Sequence, residues 1–165
     1  MPTFLNGNLW DEWGQVSLLL FTSNSSVKGN GCLVMGRGSA LEAQRYAPDF
    51  AEIAGSWVRA GGLMNQIYGL FLLEVPYQRQ GLTFCQTLGA FQTKQHWRAP
   101  ATLPVIAYSV GHLCALLEAR PHKFPSVAMP FPGIGAGGLS RETVLPVLEP
   151  LPPHVRIYEP RKESL

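Results

Sequence analysis

What this sequence lacks narrows its reading first. No run of about 20 apolar residues occurs, so no helical membrane span is predicted. There are only three cysteines, Cys32, Cys85 and Cys114, and they lie far apart with no CxxC. That argues against a disulfide framework or a zinc site and fits a reducing compartment. Each reads as a small buried hydrophobe, with Cys32, inside a glycine-rich stretch, the one to check for reactivity. Charged residues make up only 15% of the chain and sum to +2, with no block of one sign and only a short mixed tail at Arg161-Lys162-Glu163. So mild a charge does not suggest a nucleic-acid surface; it suits a small anionic ligand held by a few cations and backbone amides. Met1 to Asn6 has neither the basic segment nor the apolar core of a signal peptide, so a cytoplasmic location is expected. His112 falls inside a helical pattern, and His122 and His154 lie beside prolines without ligand spacing, so no metal site is expected.

What is present reads as one ordinary domain over 1–165, with 46% hydrophobic residues and enough length to bury a core. Val16–Thr22 is a nearly continuous apolar run, as a strand covered on both faces requires. Ser39–Tyr46 and Phe50–Arg59 read as helices, the second ended by Gly61-Gly62. Tyr68–Leu73 and Leu82–Leu88 read as strands, and Thr102–Arg120 as an amphipathic helix with Pro104 in its first turn. Ser126–Pro130 is a short strand, Arg141–Leu148 a helix that Pro146 must bend or end, and Val155–Tyr158 a last strand. Strands separated by helices predict an α/β layered fold, in which ligands bind beyond the carboxyl ends of strands.

Two glycine-rich loops follow apolar strands and precede helices. The first runs from Asn24 to Gly38 and ends Val34-Met35-Gly36-Arg37-Gly38; the second is Pro130-Phe131-Pro132-Gly133-Ile134-Gly135-Ala136-Gly137-Gly138-Leu139. Glycine lets a backbone approach a ligand closely, and helix N-termini and successive N–H groups bind anions. Ser140 can cap the helix after the second loop. Glycines also simply make tight turns, but two such loops in equivalent places point to phosphate. Lys28 precedes the glycines and no GK[ST] follows, so the first loop is no Walker A motif; nor is there a clean GxGxxG with an acidic partner.

Gly7-Asn8-Leu9, the strand ending at Asn24, and Val34-Met35-Gly36-Arg37-Gly38-Ser39-Ala40-Leu41 resemble the macrodomain family, as does Pro132–Leu139. Phe91-Gln92-Thr93-Lys94-Gln95-His96-Trp97-Arg98 is similar to the catalytic-lysine segment of one subgroup, that of the terminal ADP-ribose protein glycohydrolase and the DNA ADP-ribosyl glycohydrolase antitoxin. The resemblance runs in order from Thr3 to Pro160. It implies a three-layer α/β/α fold with a mixed central sheet and, as ligand or product, ADP-ribose, with no cofactor.

The same resemblance puts Pro132, Gly133, Ile134, Gly135, Ala136, Gly137, Gly138 and Leu139 around the diphosphate, and Met35, Gly36, Arg37 and Gly38 near the diphosphate and distal ribose. It puts Asn8 and Leu9 at the adenine, where the family commonly has an aspartate; the Asn8 amide can accept without charge but is equally a turn residue. Tyr158 is placed beside adenine or in the core. Lys94 is implied to act on the anomeric carbon of the distal ribose, which requires a neutral amine. Strand alternation would put Lys94, His96 and Arg98 on one face. Asn24, ending its strand, and Asn30, beside glycines, compete to contact the distal ribose. The terminal glycohydrolase has an aspartate where this chain has Gly138, whereas the antitoxin has glycine, so the lysine-centred arrangement is the better analogy. Trp10, Trp13, Trp57 and Trp97 read as core or rim packing. Three functions stand open: hydrolysis of ADP-ribosyl linkages on DNA or protein; binding of ADP-ribose or a related nucleotide without turnover; and a phosphatase acting on ADP-ribose 1″-phosphate, for which Lys28 in the long first loop can meet an extra phosphate.

Overall fold

The structure, a computed structural model, describes residues 1–160, so the Arg161-Lys162-Glu163 tail lies outside the described residues. Strands β1 (Thr3–Asn6), β2 (Leu18–Ser23), β3 (Leu70–Arg79), β4 (Leu82–Gln92), β5 (Val127–Pro130) and β6 (Val155–Glu159) form one sheet in the order β1-β6-β5-β2-β4-β3. Every neighbouring pair is parallel except β3–β4, so the sheet is mixed. Helices α1 (Ser39–Tyr46) and α2 (Phe50–Ala60) cover one face, and α3 (Leu103–Ala119) and α4 (Arg141–Leu148) the other. Strand β2 shows why: Leu19 and Phe21 join the core with Ala43, Phe50 and Val58, while Leu18 and Leu20 join the core with Ile106, Leu113 and Leu148. Alternate side chains point to opposite faces, so a strand covered on both sides must be apolar throughout. The fold is the expected three-layer α/β/α arrangement. Among the described residues no helix is long and apolar enough to cross a membrane.

The expected elements form with shifted ends. The hairpin strands run well beyond Tyr68–Leu73 and Leu82–Leu88, because pairing continues from Leu70↔Phe91 to Arg79↔Leu82. Gln80 and Gly81 close the hairpin with φ of 52° and 77°, the conformation tight two-residue hairpins need. Pro146 does not end α4, which continues to Leu148; a proline here forfeits only the bond to the carbonyl four residues back. Strand β1 and short 3-10 turns at Leu9–Glu12 and Gly135–Gly137 had no sequence signal.

One glycine inside a helix carries the first loop. A Cβ on Gly55 of α2 would lie 2.0 Å from the Gly31 carbonyl oxygen, so the loop backbone crosses directly over this residue. The Leu33 N–H donates to the Ala51 carbonyl at 2.8 Å beside it. The five parallel strands all end at one edge of the sheet, at Asn6, Ser23, Gln92, Pro130 and Glu159. The loops leaving that edge build the site.

Candidate functional site

Those loops enclose a cleft of about 1300 Å³. One wall is the second glycine loop. Gly133, Gly135 and Gly138 have φ of 83°, 65° and 79°, where a side chain is strained. Cβ atoms on Gly135 and Gly138 would meet nothing within 4 Å, so these two present bare backbone to the cleft. On Gly133 a Cβ would strike Ile106 at 2.7 Å, so that glycine serves packing. Gly133, Ile134, Gly135, Ala136, Gly137 and Gly138 line the cleft. Pro132 and Leu139 do not; the Leu139 N–H closes the neck of the loop on the Gly133 carbonyl at 2.9 Å, and its side chain packs into the core.

Met35, Gly36, Arg37 and Gly38 line the facing wall. Gly36 and Gly38 take φ of 58° and 67° with open space around their missing Cβ atoms. Gly38 starts α1 without a side-chain cap, and Ser39 and Ala40 also line the cleft. The free N–H groups and dipole of α1 thus face the same space as the second loop, an arrangement suited to an anion.

The two asparagines separate. Asn24 lines the cleft. Its Nδ2 donates to the Val34 carbonyl at 3.0 Å and its Oδ1 accepts from the Ser26 N–H at 2.9 Å, so it braces both limbs of the first loop. One N–H and one lone pair stay free for a ligand. Asn30 is away from the cleft on an exposed turn, with its Oδ1 accepting from the Cys32 N–H at 3.0 Å. The loop residues between bend away because Val27 pairs with Leu33 and Leu33 is tied to α2.

The expected alternation of Lys94, His96 and Arg98 does not arise. Strand β4 ends at Gln92, and 93–98 form a turn. Ser25 captures the Gln95 carbonyl through both its N–H (2.9 Å) and its Oγ (3.0 Å), and the Ser26 Oγ accepts from the Trp97 N–H at 3.0 Å. These bonds pull the chain round. Lys94, Trp97 and Arg98 line the cleft, and His96 does not. The Arg98 guanidinium lies over the Trp97 ring at 4.7 Å. Burial pushes the Lys94 amine below the ordinary lysine range, and among the described residues it forms no ion pair.

A buried polar layer holds this turn from beneath. Gln92 is fully buried. Its Oε1 accepts from the Tyr68 and Gly69 N–H groups at 2.7 and 3.1 Å, and its Nε2 donates to the Gln66 and Lys94 carbonyls at 2.8 and 3.1 Å. The Tyr68 hydroxyl bonds Ser23 at 2.6 Å and donates to the Asn24 carbonyl at 2.9 Å; burial raises its pKa well above the usual tyrosine value. Among the described residues no buried side-chain nitrogen or oxygen lacks a partner.

At the far end Asn8, Leu9 and Tyr158 line the cleft. The Asn8 Oδ1 caps the 3-10 turn by accepting from the Trp10 N–H at 3.0 Å. The Tyr158 hydroxyl donates to Glu12, whose other oxygen accepts from Arg156 at 3.1 Å. Burial and that hydrogen bond push Tyr158 up to about 12. Trp10 is buried and stacks on Tyr46 at 4.6 Å, while Trp97 is 43% exposed on the cleft rim. Two carboxylates, Asp11 and Glu42, also line the cleft and were not foreseen. Asp11 lies three residues after Asn8 on a turn the sequence did not signal. Among the described residues no cluster of three His, Cys, Asp or Glu side chains can hold a metal ion.

No protein-family model matches the chain. It is 31% identical over 166 residues to the DNA ADP-ribosyl glycohydrolase of Thermus aquaticus, which covers 97% of this chain and 41% of that protein. The chain thus spans about two fifths of the length of that curated relative. Among solved structures it matches the macrodomain of Thermus aquaticus DarG with a TM-score of 0.70 and 27% identity, over 97% of this chain and 99% of that one. The macrodomain of Mycobacterium tuberculosis DarG matches with a TM-score of 0.72 and 28% identity, over 98% and 99%.

Proposed function

The chain belongs to the macrodomain family, and on that premise we propose that it binds the ADP-ribosyl group of modified DNA and hydrolyses its link to the base, with Lys94 as nucleophile. The observation that carries this reading is that Lys94 enters the same cleft as both glycine loops, half-buried, unpaired among the described residues, and with its pKa lowered by that burial. The diphosphate lies between Gly36–Gly38 and Gly133–Gly138, where α1 and the second loop offer N–H groups. Asp11 stands at the adenine end, where the Asn8 oxygen is already engaged as a cap, and accepts from the adenine amine. Tyr158 lies beside the base.

The neutral Lys94 amine attacks the anomeric carbon of the distal ribose. The bond from that carbon to the DNA base breaks, and its electron pair leaves with the base, which takes up a proton. Water then replaces the amine on the carbon, releasing ADP-ribose and free lysine. The DNA relatives favour a DNA substrate over a protein one.

The test incubates the protein with an ADP-ribosylated oligonucleotide and an ADP-ribosylated protein, and measures ADP-ribose binding by calorimetry. Release of ADP-ribose from the oligonucleotide, abolished in Lys94→Ala with binding retained, supports the reading. Full activity in Lys94→Ala overturns the mechanism. Binding with every substrate left intact means the domain is a reader of ADP-ribose, not a hydrolase.

A further inference from the structure

Behind the Lys94 turn, between it and the Ser26–Lys28 part of the first loop, lies a second hollow of about 190 Å³. It is lined by Ser26, Lys28, Met64, Asn65, His96 and Trp97, among others. Trp97 borders both this hollow and the main cleft, so the two meet at its ring. We propose that this hollow is a subsite for the single-stranded DNA next to the modified nucleotide, taking a flanking base on Trp97 and its phosphate on Lys28. The inference rests on the reading of the cleft as a DNA ADP-ribosyl hydrolase.

Three observations carry it. The first is composition. The hollow joins exposed aromatic surface to one cationic side chain, Lys28, the pairing that single-stranded nucleic acid uses through base stacking and phosphate attraction. Trp97 is 43% exposed; the Arg98 guanidinium lies over its ring at 4.7 Å and the His96 ring is tilted 26° to it with centroids 6.1 Å apart, so a base meets the part of the ring these two leave open. No carboxylate lines the hollow. Lys28 is the cation that lines the hollow, and Arg98 lines the main cleft on the other side of Trp97's backbone turn.

The second is that the hollow is held rigidly. Lys28 stands on a closed turn: its N–H donates to the Cys32 carbonyl at 2.8 Å, its carbonyl accepts from the Gly31 N–H at 2.9 Å, and Val27 pairs with Leu33. Gln95 ties the opposite rim, donating from Nε2 to the Asn65 carbonyl at 2.9 Å, while the Asn65 N–H donates to the Ser25 carbonyl at 3.0 Å. A preformed subsite loses little entropy on binding.

The third is position. Ser25–Asn30 do not line the cleft, and Ser25 and Ser26 hold the Lys94 turn, yet Ser26 and Lys28 of this stretch supply one wall of the hollow. The other wall is the turn that delivers Lys94. Trp97 lies three residues after Lys94 and borders both spaces, so the hollow is the nearest room for a strand whose modified nucleotide is held at Lys94.

The experiment compares an ADP-ribosylated single nucleoside with an ADP-ribosylated single-stranded oligonucleotide, using the full chain and Lys28→Glu and His96→Ala variants. Lys28 and His96 do not line the main cleft. We expect kcat/KM on the oligonucleotide to fall about tenfold in Lys28→Glu, and several-fold in His96→Ala, with the nucleoside unaffected. The wild-type preference for the oligonucleotide should shrink as salt rises. Equal loss on both substrates, or none on either, overturns the subsite. A loss confined to an ADP-ribosylated peptide also overturns it, in favour of a protein partner. A separate readout isolates failure of the parent reading: anisotropy of an unmodified fluorescent single strand on protein saturated with ADP-ribose. Salt-sensitive binding weakened by Lys28→Glu supports the subsite even if no substrate is cleaved, and absence of such binding beside intact hydrolysis refutes it.

Discussion

The contact between Gly137 and Ala101 ties the diphosphate loop to the wall that carries Lys94, and Gly137→Ala tests it. The Ala101 N–H donates to the Gly137 carbonyl at 2.9 Å, and a Cβ on Gly137 would lie 3.0 Å from the Ala101 methyl. Gly137 does not have positive φ, so alanine adds no backbone strain there and the contact is the whole effect. Carbon atoms in contact prefer about 3.5–4.0 Å, so one side must move by roughly half an ångström or more. Ala101 is buried just ahead of the Thr102 cap of α3 and has no flexible side chain to swing aside. Overpacking of this kind costs about 1–3 kcal/mol, and a single methyl belongs at the low end. At about 1 kcal/mol the Tm of a domain this size falls by roughly 2–4 °C. Because Gly137 lines the cleft, displacing it should lower ADP-ribose affinity several-fold as well. Thermal melts and calorimetry read both quantities. Ala101→Gly removes the opposing methyl, so Gly137→Ala/Ala101→Gly should be more stable and bind more tightly than the sum of its single effects predicts, with a coupling of about 0.5 kcal/mol or more. Strict additivity of the two substitutions would refute the contact as the link between the walls.

Three further outcomes follow from the same geometry. Gly55→Ala should destabilise the domain by about 3 kcal/mol or more, since the new Cβ lies 2.0 Å from backbone oxygen that has no rotamer to change; a Tm within 2–4 °C of wild type would contradict the crossing. Burial lowers the Lys94 pKa, so below the ordinary lysine range the unfolded chain holds a proton that the folded one has released, and stability should rise with pH across that window; urea midpoints for Lys94→Met should show a flatter slope. Tyr158 is pushed to about 12, so its hydroxyl stays protonated when the unfolded chain has ionised near pH ~10, and stability falls as pH rises through that interval; phenolate absorbance should show a late-titrating ring missing from Tyr158→Phe.

The sequence made the layers legible because they follow from periodicity. The apolar run of β2 demanded cover on both faces, and Ser39–Tyr46 forms with the expected ends. The two glycine loops were legible because positive φ at Gly36, Gly38, Gly135 and Gly138 is a local backbone requirement. What was not legible depends on long-range contacts. Residues 94–98 alternate like a strand, but Ser25 and Ser26, some 70 positions earlier, capture the backbone and make a turn. Asn30 carries the same turn chemistry as any asparagine beside glycine, and only the tether of Leu33 to α2 shows that it points away from the cleft. Gly55 carries no signal within the Phe50–Arg59 helix; its purpose appears only with the loop that crosses it.

The two loops and the lysine are also coupled electrostatically. Burial favours the neutral amine, but a bound diphosphate brings negative charge that favours the protonated one. A unit charge about 7 Å away contributes about 2 kcal/mol at an effective dielectric of about 20, more than one pKa unit against catalysis. Burial of a half-exposed amine does not overcome that alone. The charge must be met elsewhere, by the N–H groups at the start of α1 and those of Gly135 and Ala136, since the Gly137 and Gly138 N–H groups already donate to the Ile134 and Gly135 carbonyls within the loop. The loops then serve the chemistry as well as the affinity, because each amide that meets the diphosphate leaves less of its field at Lys94. Gly137→Ala, which displaces the second loop, should therefore move the rising limb of the pH–rate profile of kcat to higher pH than in wild type. A limb that stays in place while affinity falls would show that the diphosphate loop acts on binding alone.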